Sequence, residues 1–273
     1  MTRILKFIFL GLFIVCVALF VTFYAIEKTT TDNTRPVITV PSEEIELSVT
    51  ATEADMLAGV TAYDEKDGDL SSRIIVESVS RFIEPSVCRV TYAVCDADNH
   101  VATATVRLRY TDYTPPRFTM NRSLCYSLYE RVNINAVFGV EDALEGNIKK
   151  ELKITSDDYV EGVTGEYSIR LEVTNGKGDT SVLQVPLYVE PKDQNAPSIR
   201  LTDYLIYLKK GDSIDPMKYL ESATDANRED IRSSVTVESE LNTGEAGVYS
   251  VHYYAADELL RGTHTVLTVI VEE

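Results

Sequence analysis

The sequence contains no tryptophan, only four cysteines and only three histidines, and its 26 Lys and Arg residues are outnumbered by 43 Asp and Glu residues. Four cysteines are too few for a fold built on disulfides, and three scattered histidines leave little for a histidine-rich metal site or a His-based active site. The net charge of −17 disfavours nucleic-acid binding, because phosphate contacts need clustered Lys and Arg. We therefore expect a protein that is not an enzyme and does not bind nucleic acid.

A single long apolar run, residues 7–26, carries no charge. A helix of that length rises ~30 Å, which is the thickness of a bilayer core. The positively charged Arg3 and Lys6 precede the run. Glu27 and Lys28 follow it, and their opposite charges cancel. The positive-inside rule then predicts a single-pass cell-membrane protein with a cytoplasmic N-terminus and the bulk of the chain extracellular.

Two other interpretations of this run stay open. A cleaved signal peptide is disfavoured by the length of the run, and by the bulky Phe23 two residues before a cut after Ala25. A lipoprotein would need a small residue before Cys16, where Val15 stands. An uncleaved membrane anchor fits the sequence best.

The rest of the chain consists of three copies of one unit. Pro-containing joints recur at a spacing of 80 and then 81 residues, and each leads into alternating apolar residues. An acidic turn recurs in the middle of each unit, beginning at Asp64, Asp142 and Asp225. The three joints are Thr34-Arg35-Pro36, Thr114-Pro115-Pro116 and Asn195-Ala196-Pro197.

The last third of each unit shows the alternation that is typical of a half-buried strand, then an Asp or Asn turn and a return strand. About seven short strands fit into each unit of ~80 residues. The fold class is therefore all-β, with three tandem Ig-like antiparallel β-sandwiches after one N-terminal transmembrane helix. One helical turn is expected at residues 215–220, where Asp215 and Pro216 begin it. The matched strand residues are Val90/Tyr92/Val94, Ile169/Leu171/Val173 and Val251/Tyr253/Ala255.

These motifs resemble the bacterial Ig-like repeats of pesticidal crystal proteins and Gram-positive surface proteins, which are akin to hyalin-type repeats. The resemblance rests on Ala62-Tyr63-Asp64, on Gly68-Asp69-Leu70 and on the stretch Tyr249–Asp257, and it covers roughly residues 35–273. It implies the sandwich fold and says little about function, because such repeats serve as spacers, adhesins and accessory binding modules. The predicted organisation is a cytoplasmic tip (1–6), a transmembrane signal-anchor (7–26), a tether (27–34) and three Ig-like domains (35–113, 114–194 and 195–273).

The first copy carries the best candidates for a calcium site. Asp64, Asp67 and Asp69 lie in one loop, and Asp96 and Asp98 lie in another at a matched place. Calcium prefers six to eight such oxygen ligands, and the two loops are expected to lie near one another. Asx turns explain the same residues without a metal. We expect no cofactor, with calcium as the open alternative.

The remaining reactive side chains give weak signals. His252 and His264 are expected as solvated surface residues, His264 in or near a turn, and their proximity across the hairpin stays open. Cys88 is expected inward and Cys95 outward on one strand, so these two should not bond to each other, whereas a bridge from either to Cys125 stays open. The sequence does not decide whether any of the three forms a disulfide.

Two functional classes stay open. The first is a surface protein for adhesion or for protein or glycan interaction, with its ligand on the third domain, where Tyr204, Tyr207 and Tyr254 are expected on the surface. The second is a spacer or a subunit of an envelope complex with no ligand of its own. A carbohydrate-binding accessory module is disfavoured, because tryptophan, the best sugar-stacking side chain, is missing. The acidic exterior favours cations or basic partners, although solubility alone accounts for it.

Overall fold

The computed structural model describes residues 2–30 and 34–273, and the side chains of residues 6–28 and 34–273. The chain forms two compact units, Met1–Thr111 and Asp112–Glu273. Met1 of the predicted cytoplasmic tip and residues 31–33 of the predicted tether lie outside the described residues. The three domain boundaries 35–113, 114–194 and 195–273 stay a prediction.

The first unit begins with helix α1 (Thr2–Thr30). Its described side chains are exposed throughout, and the segment Lys6–Lys28 is long and apolar enough to cross a bilayer. A signal sequence near an N-terminus has the same properties. The helix continues beyond the predicted span 7–26, so the predicted tether 27–34 is helical up to Thr30.

Two sheets form the rest of the first unit. One has the strand order β1-β3-β4 and the other the order β2-β7-β6-β5. A short helix, α2 (Glu53–Met56), lies between β2 and β3. The strands are β1 (Val37–Thr39), β2 (Glu44–Leu47), β3 (Thr61–Asp64), β4 (Gly68–Asp69), β5 (Ile75–Val79), β6 (Val87–Cys95) and β7 (Val101–Tyr110).

The second repeat opens the second unit and has the same layout. Its sheets have the orders β11-β10-β8 and β12-β13-β14-β9, and helix α3 (Ile134–Val137) precedes β10. Asn133 caps that helix, because its side chain accepts a hydrogen bond from Ala136 N. The strands are β8 (Arg117–Met120), β9 (Cys125–Ser127), β10 (Phe138–Asp142), β11 (Gly146–Asn147), β12 (Lys153–Asp157), β13 (Gly165–Thr174) and β14 (Thr180–Glu190).

The third repeat completes the second unit with sheets β15-β17 and β16-β20-β19-β18. The helical turn predicted at 215–220 is confirmed as a 3-10 turn, Pro216–Tyr219, whose N-terminus is capped by the Asp215 side chain. The strands are β15 (Ser198–Leu201), β16 (Leu205–Lys209), β17 (Leu220–Thr224), β18 (Thr236–Ser239), β19 (Gly247–Ala256) and β20 (Gly262–Glu272).

The all-β fold class is confirmed as a series of sandwiches after one apolar helix. The alternation predicted the core, since Ile169, Leu171 and Val173 are all fully buried on β13. Tyrosine occupies one matched core position in the first and third repeats, and Leu171 occupies it in the second. Tyr92 and Tyr253 are fully buried at matched positions, and their hydroxyls donate to the carbonyls of Met56 and Pro216 at 2.6 and 2.8 Å.

One feature of the sheets differs from the antiparallel expectation. In every repeat an early strand pairs in parallel with the last strand, in the pairs β2–β7, β9–β14 and β16–β20. The other strand pairs within the repeats are antiparallel. Local alternation reports which side of a strand is buried and not the direction of its neighbour, so the sequence could not reveal this pairing.

Candidate binding groove

The two acidic loops of the first repeat lie close together, as the matched spacing predicted. The Asp67 carboxylate accepts a hydrogen bond from Ala97 N at 2.6 Å, and Lys66 forms an ion pair with Asp98. The carboxylates that were predicted as calcium ligands therefore link the two loops to each other.

Several carboxylate oxygens in these loops accept hydrogen bonds that form turns. Asp64 Oδ1 accepts from the backbone N–H groups of Lys66 and Asp67 at 2.9 and 3.0 Å. Asp69 Oδ1 accepts from Ser71, whose hydroxyl and N–H hold the pKa of Asp69 below its ordinary value. Within residues 34–273 and the described part of α1, no group of three or more His, Cys, Asp or Glu is placed to hold a metal ion. Calcium binding by Asp64, Asp67, Asp69, Asp96 and Asp98 stays a prediction.

The three repeats complete the acidic turn differently. In the second repeat Asp142 Oδ2 accepts from Asn175 Nδ2 at 2.8 Å, and in the third repeat Asp225 Oδ2 accepts from Asn227 Nδ2 at 3.3 Å. In the first repeat Asp64 is 2% exposed, and its Oδ2 atom has no hydrogen-bond partner among the described residues. Asp96 stands at the place of Asn175, but its side-chain carboxylate has no N–H to donate and contacts His100 Nδ1 at 2.8 Å instead.

A groove of about 1150 Å³ lies in the second unit, between the outward faces of its two four-stranded sheets. We call it the junction groove. Its lining comes mainly from alternate residues of β13, β14, β19 and β20, such as Ser168, Tyr188, His252 and His264. Because side chains alternate across a strand, the residues that fill the core leave these neighbours facing outward into the groove.

An aromatic wall forms one part of the junction groove. His252 Nδ1 and His264 Nε2 are 2.9 Å apart, and their rings are 11° from parallel with centroids 5.1 Å apart, so the two imidazoles lie side by side and share a hydrogen bond. Tyr254 lies parallel to His264, with centroids 4.7 Å apart. Tyr188 meets His252 and His264 edge-on at 5.5 and 5.3 Å. The sequence left the proximity of the histidines open. They form part of a packed wall and are not the solvated surface residues that were expected.

Contacts between the second and third repeats fix this wall in place. The side chain of His264 is only 5% exposed, and its Nδ1 lies 3.0 Å from Glu190 Oε1. Ser123 Oγ accepts a buried hydrogen bond from Val266 N at 3.0 Å. Burial raises the pKa of the neighbouring Cys125 thiol to about 12, so this thiol is not a nucleophile at neutral pH. No disulfide joins the cysteines of the described residues.

The rim of the junction groove is acidic. The groove contains five carboxylates and neither Lys nor Arg. Polar side chains such as Gln184, Ser168 and Ser250 lie between them. The carboxylates are those of Asp158, Glu166, Glu190, Glu238 and Glu240.

The three tyrosines of the third repeat that were predicted on the surface lie in different environments. Tyr254 lines the junction groove. Tyr207 is half-buried, accepts a hydrogen bond from Phe118 N at 2.8 Å and lies under the Arg117 guanidinium at 4.7 Å. Tyr204 packs against the core of its own repeat. Only Tyr254 of the three is in a position to contact a ligand in the groove.

We expect acid to weaken the second unit through His252. Burial, followed by the charge of His264, lowers the pKa of His252 from its ordinary value of 6.5, while Glu166, Glu238 and Glu190 oppose the shift. The unfolded chain then takes up a proton at a higher pH than the folded chain, so this contribution to stability is present above pH 6.5 and falls as the pH drops below it. Between about pH 7.5 and about pH 5.5 the wild-type melting temperature should fall by roughly 2 °C more than that of His252→Asn. An equal fall in both proteins would contradict this expectation.

The comparisons with known proteins give a weak sequence likeness. No family model matches the chain. Over 222 residues the chain is 26% identical to the pesticidal crystal protein Cry22Aa of Bacillus thuringiensis. The overlap covers 77% of this chain and 29% of that protein, so the chain spans less than a third of its curated relative.

Among solved structures, the CBM51-2 and INT domains of Clostridium perfringens ZmpB, in a complex with GlcNAc, match with a TM-score of 0.26 and 19% identity. That match covers 51% of this chain and 27% of the other chain. Drosophila N-cadherin EC1-4 matches with a TM-score of 0.26 and 14% identity, over 85% of this chain and 74% of the other. Both scores are low, so neither likeness bears on the ligand of this chain.

Proposed function

We propose that this chain is a membrane-anchored, non-catalytic bacterial surface protein of the Ig-like repeat type, and that it binds a partner through the junction groove. The apolar helix α1 supports the anchor, because its span Lys6–Lys28 is long enough for a bilayer core. The motifs around Asp64 and Tyr253 support the repeat type. The single observation that carries the binding role is the junction groove itself.

The groove has the composition of a recognition site. Tyr188 and Tyr254 offer large aromatic contact area at a small cost in conformational entropy, and tyrosine is enriched where binding energy concentrates. The wall is held rigid by the His252–His264 and His264–Glu190 contacts. A preorganised surface of this kind loses little entropy when a partner binds.

Catalysis is not part of the proposal. The two histidines are hydrogen-bonded to each other, and the Cys125 thiol has a pKa raised to about 12. The carboxylates of the groove are spread along its rim. Cys125 Sγ lies 3.8 Å from His264 Nδ1, but its raised pKa keeps the thiol protonated at neutral pH. This arrangement supports binding and offers no acid–base pair for turnover.

The proposal is tested with cells that display the full chain. Tyr254→Ala should reduce adhesion to partner cells of the same species at least tenfold, because it removes the central ring of the wall. Tyr129→Ala is the matched control, since Tyr129 is 94% exposed and does not line the groove. Equal adhesion by the wild type and a correctly folded Tyr254→Ala chain would contradict the proposal, and would favour the spacer interpretation instead.

A further inference from the structure

We propose that the occupant of the junction groove is a basic peptide segment of a partner protein, an inference that rests on the proposed function. The first argument is charge. Glu166, Glu238 and Glu240 are exposed residues that line the groove, and no ion pair joins them to a Lys or Arg among the described residues. Three carboxylates without counter-ions around one groove attract a ligand with several positive charges.

The field of these carboxylates reaches the aromatic wall. Glu166 adds to the burial that raises the pKa of Tyr188 to about 12. Glu238 and Glu190 likewise add to the burial that raises the pKa of Tyr254. The negative potential of the carboxylates is therefore felt at the aromatic wall of the junction groove. A Lys or Arg side chain in that place gains both the carboxylate contacts and a cation–π contact with tyrosine.

The sheet edge favours a peptide over an amine-bearing sugar. Strand β18 (Thr236–Ser239) ends its sheet, because it pairs with β19 on one side and with no other described strand. Two of its residues, Glu238 and Ser239, line the groove. An extended peptide can add to such an edge through main-chain hydrogen bonds, while its alternate side chains reach the carboxylates. A sugar has no backbone that matches a strand edge.

The inference is tested with the full chain in detergent and with short labelled peptides of opposite charge. A fluorescein-labelled peptide of alternating Lys and Ser should bind, and its Glu–Ser counterpart should not. The triple variant Glu166→Gln/Glu238→Gln/Glu240→Gln should weaken binding of the Lys peptide at least tenfold. The triple variant Glu65→Gln/Glu77→Gln/Glu258→Gln makes the same charge change at exposed residues outside the groove and should change affinity less than twofold.

Two outcomes would overturn the inference. Equal weakening by the two triple variants would mean that the affinity for the peptide depends on the net charge of the protein and not on the groove. Binding of glucosamine oligomers in place of the Lys peptide would mean that the groove takes an amino sugar. In either case a loss of adhesion by Tyr254→Ala would still support the proposed function. Unchanged adhesion by that variant would contradict the proposed function as well.

Discussion

Replacing Asn175 with Asp should destabilise the second unit by about 2–4 kcal/mol at pH 7. Asn175 and Asp142 are 4% and 5% exposed, and the Asn175 amide donates to both Asp142 Oδ2 and the Tyr113 hydroxyl. The substitution removes both donated hydrogen bonds and buries a second carboxylate against Asp142. Thermal unfolding should shift down by about 6–12 °C.

The first repeat supplies the control for this substitution. Asp96→Asn gives the first repeat the amide that Asn175 supplies in the second, at the cost of the carboxylate contact with His100. We expect it to change stability by less than about 1 kcal/mol. A loss below 1 kcal/mol for Asn175→Asp at pH 7 would show that the Asp142–Asn175 hydrogen bond does not hold this turn.

The double variant Ser123→Ala/Tyr207→Phe should loosen the second repeat from the third and lower the stability of the unit by about 2–5 kcal/mol. Each substitution removes a side-chain oxygen that accepts a hydrogen bond from a main-chain N–H group of the other repeat. Val266 N loses Ser123 Oγ, and Phe118 N loses the Tyr207 hydroxyl. A buried N–H group without a partner costs about 1–3 kcal/mol.

Denaturant titration of the full chain, together with hydrogen exchange at the Val266 and Phe118 amides, measures this effect. Both amides should exchange faster in the double variant. Tyr249→Phe is the control, because the Tyr249 hydroxyl donates to Glu245 O in an exposed contact within the third repeat. If the double variant and Tyr249→Phe were equally stable, the contacts between the repeats would contribute nothing to the unit.

Much of the fold could be predicted from the sequence, because the same pattern occurs three times along the chain. The alternation at Tyr253 and its matched residues Tyr92 and Leu171 placed the core strands correctly, and all three side chains are fully buried. The cap at Asp215 was equally visible, since an Asp followed by Pro is a local signal. Strand direction was not visible, because the parallel partner of β7 lies more than fifty residues earlier in the chain.

The candidate groove was only partly visible in the sequence. His252 and Tyr254 are two residues apart on one strand, so their side chains lie on the same outward face. The hairpin pairs His264 with Tyr254 across the two strands. The contribution of the second repeat, through Tyr188 and Glu190, had no local signal. It depends on how two sandwiches pack against each other, and periodicity within one strand holds no information on that packing.

The parallel pairing of early and last strands gives each repeat a particular response to tension. The start of β2 and the end of β7 lie at opposite ends of their parallel pair, so a pull on the two ends of the repeat slides one strand along the other. The hydrogen bonds of the pair then carry the load together and do not open one after another. Strands β9 and β14 have the same arrangement. A repeat of this kind resists being pulled apart from its two ends.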